Sequence, residues 1–191
     1  MEKIKHLYGR AGFGLSIREW EQKRNLSVSQ AVNELFTNAL ATPPLSPPST
    51  PDVEGFLQMS EQDRAETRKT ERRLVVLQSA AWIKRMSDEN ESPLLERMTL
   101  FWHGHFACQS KTSGMASNQL NTIRKHALGN FRELVLAIAK DPSMIRFLNN
   151  QQNRKQKPNE NFARELMELF TIGRGNYTEM DIKEADRAFT G

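Results

Sequence analysis

"PNENFARELMELFTIGRG", residues 158–175, has the spacing of a capped helix. Asn159 is the expected cap, and Gly173 suits the left-handed position after the last turn. Each helical residue advances about 100°. With Phe162 at zero, Leu166, Leu169 and Phe170 fall within about 80° of it and form the expected buried stripe. Glu165, Asn161 and Glu168 fall near about −60°, −100° and −120°, at the border of that stripe. A carboxylate in half-buried surroundings must be paired, hydrogen-bonded or protonated. Arg164 is placed to pair with Glu168 one turn on, and Asn161 to donate to Glu165. Two readings follow: a polar network pinning the helix to its neighbours, or a site in which Glu165 and Glu168 serve as metal ligands or an acid–base pair.

The same helical period extends outward in both directions. Thr178 with Asp181 has the form of a capping box for a last helix, in which Ile182, Ala185 and Phe189 face inward. Asp186 lies about 40° from Ile182 and would need a partner, Arg187 or Arg164. Upstream, DPSMIRFLNN is a short helix capped by Asp141. Residues 118–128 and 131–140 form a helix pair or one bent helix, interrupted near Gly129. PLLERMTLFWHGHFA, starting at Pro93, is apolar around most of its circumference and is expected to be central. Residues 60–87 read as a long helix, solvated at its front and buried at its rear through Leu74, Leu77, Ala81 and Met86, with Trp82 alongside. Five of the eight prolines fall in residues 41–52, ATPPLSPPSTPD, which reads as an extended loop. Before it, SIREWEQKRN and SVSQAVNELFTNAL are short helices, the second capped by Ser27 or Ser29. No alternating strand pattern and no internal repeat is evident. The chain is expected to be all-α, an irregular multi-helix bundle: an N-terminal helical segment (1–40), a Pro-rich loop (41–59) and a main helical core (60–191).

A second polar cluster lies in ERMTLFWHGHFACQSK, residues 96–111. On a helix, His103 and His105 would point about 200° apart, an objection that relaxes if Gly104 ends the helix. Glu96 and His103 are seven apart and share a face, so a buried His–Glu hydrogen bond is one reading. The other brings the clusters together, with His103, His105, Glu165 and Glu168 holding a divalent metal such as zinc, iron or manganese. Gly9, Gly12 and Gly14 in GRAGFG have no strand before them, so a phosphate-loop reading is weak. Arg10 in that turn is a candidate anion contact or inter-helix clamp. Cys108 reads as a packing thiol.

The bulk composition narrows the classes. The 191 residues are 38% hydrophobic, enough for one core. No apolar run approaches the roughly 20 residues of a membrane span, and MEKIKHLYGRAGFG lacks the apolar segment of a secretory signal. A single cysteine excludes an intrachain disulfide. The net charge of +4 is interspersed, with one short basic loop at Arg154, Lys155 and Lys157 that reads as a solvated tip, so nucleic-acid binding is not expected.

GRAGFG, ERMTLFWHGHF, DPSMIRFLNN, PNENFARELMELFTIG and YTEMDIKEADRAFTG, in that order, resemble a bacterial family known only as domain of unknown function 1800. The resemblance runs from about Tyr8 to Gly191. It implies the N-terminal part of a larger helical domain, since members are usually more than twice this length. It implies an envelope or export setting and a sulfatase-like neighbour as protein partner, and it brings no established reaction. The motif positions carried onto this chain are Arg10, Trp82, His103, His105, Arg124, Asn159, Glu160, Asn161, Arg164, Glu165, Glu168, Asp181 and Arg187. Two residues depart from the pattern: Asn149, where an aspartate is frequent, and Asp186, where a small apolar residue is usual. The expected function is an interaction or scaffold module of the envelope. The alternative is a metal-dependent hydrolase or oxidoreductase.

Overall fold

The computed structural model of the chain describes residues 2–46 and 53–190. Among them are eleven α-helices and no strand, so the all-α class holds. The N-terminal helices are α1 (Glu2–Ala11), α2 (Ile17–Lys23) and α3 (Val28–Ala41). Ser16 and Ser27 cap α2 and α3, each closing a capping box with the residue three ahead, Glu19 and Gln30. Within the span read as loop, residues 42–46 are non-helical, while Val53–Gln58 forms the short α4. The expectation for Pro47, Pro48 and Pro51 lies outside the described residues. The described part of the loop lies along α7 (Ser113–His126): the Asn121 side chain exchanges two 2.8 Å hydrogen bonds with the Leu45 backbone.

Two cores flank a central pair, α6 (Pro93–His105) and α7. The first packs Ile4 and Tyr8 of α1 and Ala31, Leu35 and Ala39 of α3 against Leu94, Leu95 and Ala127. Gly12 is required there. A Cβ on it would stand 2.8 Å from Pro93 Cβ and 3.1 Å from the Tyr8 carbonyl, so the glycine lets α1 end against the first turn of α6. The second core joins Phe106 and Ile123 to α8 (Phe131–Ala139), to α9 (Pro142–Phe147), and to Phe162 and Phe170. Asp141 caps α9, accepting from Ser143 and Met144 N–H groups. Asn149 follows in the left-handed region at φ 59°, a conformation asparagine tolerates better than most residues.

The long helix α5 (Glu61–Met86) departs from expectation. Its rear is not buried: Leu77 is 53% exposed, Ala81 is exposed, and Leu74 and Met86 are half-buried. Among its residues only Glu71 is buried. The helix is seated by directional polar bonds. Glu71 accepts from Ser113 N–H at 2.6 Å, Gln78 donates to Ser117 Oγ at 2.7 Å and to the Ser113 carbonyl at 3.2 Å, and Trp82 Nε1 donates to Glu96 at 2.7 Å. Residues 71, 78 and 82 share one face at helical spacing, so Val76, Ala80 and Ile83 are turned to within about 60° of the opposite direction.

The quoted stretch also departs from an ideal helix. It begins as α10 (Asn161–Glu165) and widens into a π turn, Leu166–Thr171. The turn closes through Ile172 and Gly173 N–H groups on the Met167 carbonyl, both at 3.0 Å. Gly173 adopts φ 79°, as its C-terminal place requires. The wider turn breaks the 100° step, which is why Leu169, expected in the buried stripe, is 58% exposed while Phe162 and Phe170 are buried. The last helix, α11 (Glu179–Ala188), has the Thr178–Asp181 capping box and packs on α10, Phe162 meeting Phe189 edge to face at 4.9 Å.

Candidate functional site

The polar residues form two separate groups. The first is the most deeply buried charge in the protein's described part. Glu96 of α6 and Arg124 of α7 form an ion pair with side chains 0% and 3% exposed. Glu96 spends its second oxygen on the Trp82 indole N–H, and Arg124 also reaches the Pro43 carbonyl at 3.4 Å. Arg124 Nε has no partner among the described residues. Helices α5, α6 and α7 and the Pro-rich loop therefore meet at one carboxylate and one guanidinium. The anticipated Glu96–His103 hydrogen bond is absent because Trp82 stands between them, its ring 5.2 Å from that of His103 and steeply inclined to it.

His103 lines a cavity of about 330 Å³ together with Gln78, Trp82, Arg85, Ser117 and Leu120. Burial pushes the imidazole below its ordinary range, so it is neutral at pH 7. Among the described residues no carboxylate bond orients this ring, and the Ser117 hydroxyl accepts from Gln78.

The second group is the quoted motif. Arg164 donates to both Glu179 oxygens, at 2.9 and 2.7 Å, and to Glu160 at 3.3 Å; these bonds hold its guanidinium protonated. Asn161 donates to the Leu148 carbonyl at 3.0 Å and not to Glu165, and Asn159 donates to the Asn149 carbonyl at 3.3 Å. Asn159 Oδ1 accepts from Asn161 N–H as a cap would, with Glu160 at the cap position itself. Glu168 does not pair with Arg164, because the π turn carries it off that spacing. It takes Arg174 and the Tyr177 hydroxyl, the latter at 2.7 Å. The Tyr177 and Arg174 bonds hold its carboxyl below the usual range. Asp181 is consumed by its capping box, exposed Arg187 pairs with Glu184, and Arg10 is exposed with no partner among the described residues. Glu165 is half-buried and carries no hydrogen bond among the described residues, with the Arg174 charge nearby.

The four expected metal ligands do not converge. Helix α6 continues through Gly104 to His105, so the two rings leave on different sides. His103 faces Trp82, while His105 lies among Phe106, Phe131 and Phe170 with Nε2 at 2.9 Å from the Phe170 carbonyl. The histidine cluster thus meets the backbone of the π turn and not its glutamates. Among the described residues, no three His, Cys, Asp or Glu side chains stand together as a metal would need. Cys108 keeps the character of a packing thiol: burial pushes it up to about 11.

Asp186 is a buried acid without the arginine expected for it. Its Oδ1 has no partner among the described residues. Burial, and then the Glu160 charge, raise its carboxyl above the usual range. A folded-state pKa above the unfolded value favours the protonated acid, so this group costs stability as pH rises through the folded value and costs none below the unfolded one. Replacing Asp186 with Ala should raise the melting temperature at pH 8 and leave it nearly unchanged at pH 3. Thermal melts of both proteins across that range measure the difference, and an equal gain at both ends would remove the charge as its cause.

Residue-by-residue reading missed Glu71, Gln78 and Ser113. Their signal was the i, i+7, i+11 row of Glu71, Gln78 and Trp82 on one face of α5. Against known proteins, the model of the family described as protein of unknown function (DUF1800) matches residues 6–191. The chain belongs to that family. No curated protein and no solved structure matches it. Among the described residues, no helix is long and apolar enough to cross a membrane.

Proposed function

We propose that this family member is a helical interaction or scaffold module of the bacterial cell envelope or export pathway, docking a protein partner on the outer face of α5. The observation that carries the reading is the split of the rear half of that helix. Glu71, Gln78 and Trp82 point inward and are spent on bonds, while Val76 and Ile83 are 66% and 65% exposed. Apolar residues at that spacing form a stripe that a partner helix can cover. Lys69, Arg73 and Lys84 flank the stripe, and no carboxylate occurs from Arg72 to Met86. The partner segment is therefore amphipathic with acidic flanks. The bonding of the second polar group supports the same reading: Arg164, Glu160, Glu168, Glu179 and Asp181 all hold the fold. The envelope setting, and a sulfatase-like neighbour as the first partner to test, come from the family resemblance.

The test is a binding titration of the full-length protein with that neighbour, for the native chain and for the Val76→Glu, Ile83→Glu variant. The reading expects saturable binding that falls at least tenfold in the variant while helicity by circular dichroism is unchanged. Equal affinity in the two proteins would overturn the docking face.

A further inference from the structure

A second concave region lies on the flank of α5, away from its outer stripe. It is a cavity of about 980 Å³ between α5, the α6–α7 connection and the first turns of α7 and α9. Among the described residues, four cationic side chains line it, Arg68, Arg72, Lys111 and Arg146, against one carboxylate, Glu71. One oxygen of that carboxylate accepts from the Ser113 N–H. None of the four cations takes part in an ion pair or hydrogen bond among the described residues, whereas most of the acids near other arginines are engaged. The first turn of α7 adds donors. Ser113 N–H goes to Glu71 and Met115 N–H to the Thr112 hydroxyl, so Gly114 N–H, on the cavity wall, is left open. The Thr112 hydroxyl accepts from Met115 and keeps its own proton to give.

We infer that this cavity is a binding site for a small phosphate- or sulfate-bearing molecule. Three arginines from two helices and one lysine, all exposed, line a space that also presents backbone and hydroxyl donors. Planar guanidinium groups match the tetrahedral oxyanion two bonds at a time, and a helix start adds positive potential. Four unpaired like charges around a hollow repel each other, and an anion relieves that repulsion. The site involves neither His103 nor the Arg164 network, and it stands whether or not α5 docks a partner.

Calorimetric titration of the chain with inorganic pyrophosphate and with inorganic sulfate at low salt tests it. Saturable binding of either anion is expected, weakening as salt is added. The Arg72→Gln, Arg146→Gln variant should bind at least tenfold more weakly with unchanged helicity, and Lys111→Gln alone about threefold more weakly. A control variant, Arg18→Gln, Arg132→Gln, which removes two exposed cations elsewhere, should bind as the native chain does. A preference for one anion assigns the phosphate or the sulfate class. No saturable binding of either, or an equal loss in the control, overturns the inference.

Discussion

Replacing Arg124 with Met should lower the unfolding free energy by about 3–5 kcal/mol, the loss expected when one member of a buried ion pair is removed. The cost does not measure the pair's net worth. Two charges taken from water regain through mutual attraction roughly what desolvation took, so the intact pair is close to neutral. What the substitution leaves is Glu96, 0% exposed, with only the Trp82 indole as donor. Its negative charge then sits in the junction of α5, α6 and α7 with nothing to balance it. The same argument predicts partial repair. Adding Glu96→Gln to Arg124→Met removes the stranded charge while keeping an acceptor for the indole, and should restore more than half of the loss. Urea denaturation of the native chain, the single variant and the double variant measures all three. If the second substitution deepened the loss, the pair would be valuable for its packing and not for its charge balance.

Phe106→Ala should cost about 3–5 kcal/mol, the range for truncating a buried aromatic whose cavity cannot collapse. Phe106 is fully buried where α6 ends. Its ring lies 4.7 Å from His105, 5.5 Å from Phe170, 6.0 Å from Trp102 and 6.4 Å from Phe131. These partners come from α6, the π turn and α8. Rigid rings held on three elements cannot close a hole by rotamer change alone. Phe106→Leu, which keeps most of the volume, should cost under half as much, and the ratio of the two separates volume from ring geometry. Equal losses would point to a specific aromatic contact in place of packing.

How far the sequence disclosed this protein depends on the range over which each feature is decided. Caps were legible because Ser27, Asp141 and Thr178 act on N–H groups two or three residues away, and a capping hydroxyl or carboxylate declares itself locally. The central place of α6 was legible because a helix apolar on most sides must cover most of them, although Leu100 and Phe101 stay exposed. The seat of α5 was not, because its three docking bonds reach Ser113, Ser117 and Glu96, partners 14 to 42 residues farther along the chain. Glu96 and His103 were rightly placed on one face. The identity of the partner was fixed by Arg124, 28 residues farther along. The metal reading depended on Gly104 ending its helix. Nothing in the local sequence opposed that, yet the helix runs on for one more residue, and that residue decides where His105 points. The π turn was invisible to arithmetic that assumes a constant step.

That turn has a consequence for everything after it. A loop closed from residue i to i+5 holds one residue more than an ordinary helical turn, so the chain leaves it out of phase by about one residue, or about 100° of azimuth. Gly173, the Arg174–Glu168 clasp and α11 all inherit that offset. Deleting a single residue between Leu166 and Thr171 would leave an apolar pattern that looks better as a helix and points α11 the wrong way. Arg164 and Glu179, now hand in hand, would be swung apart.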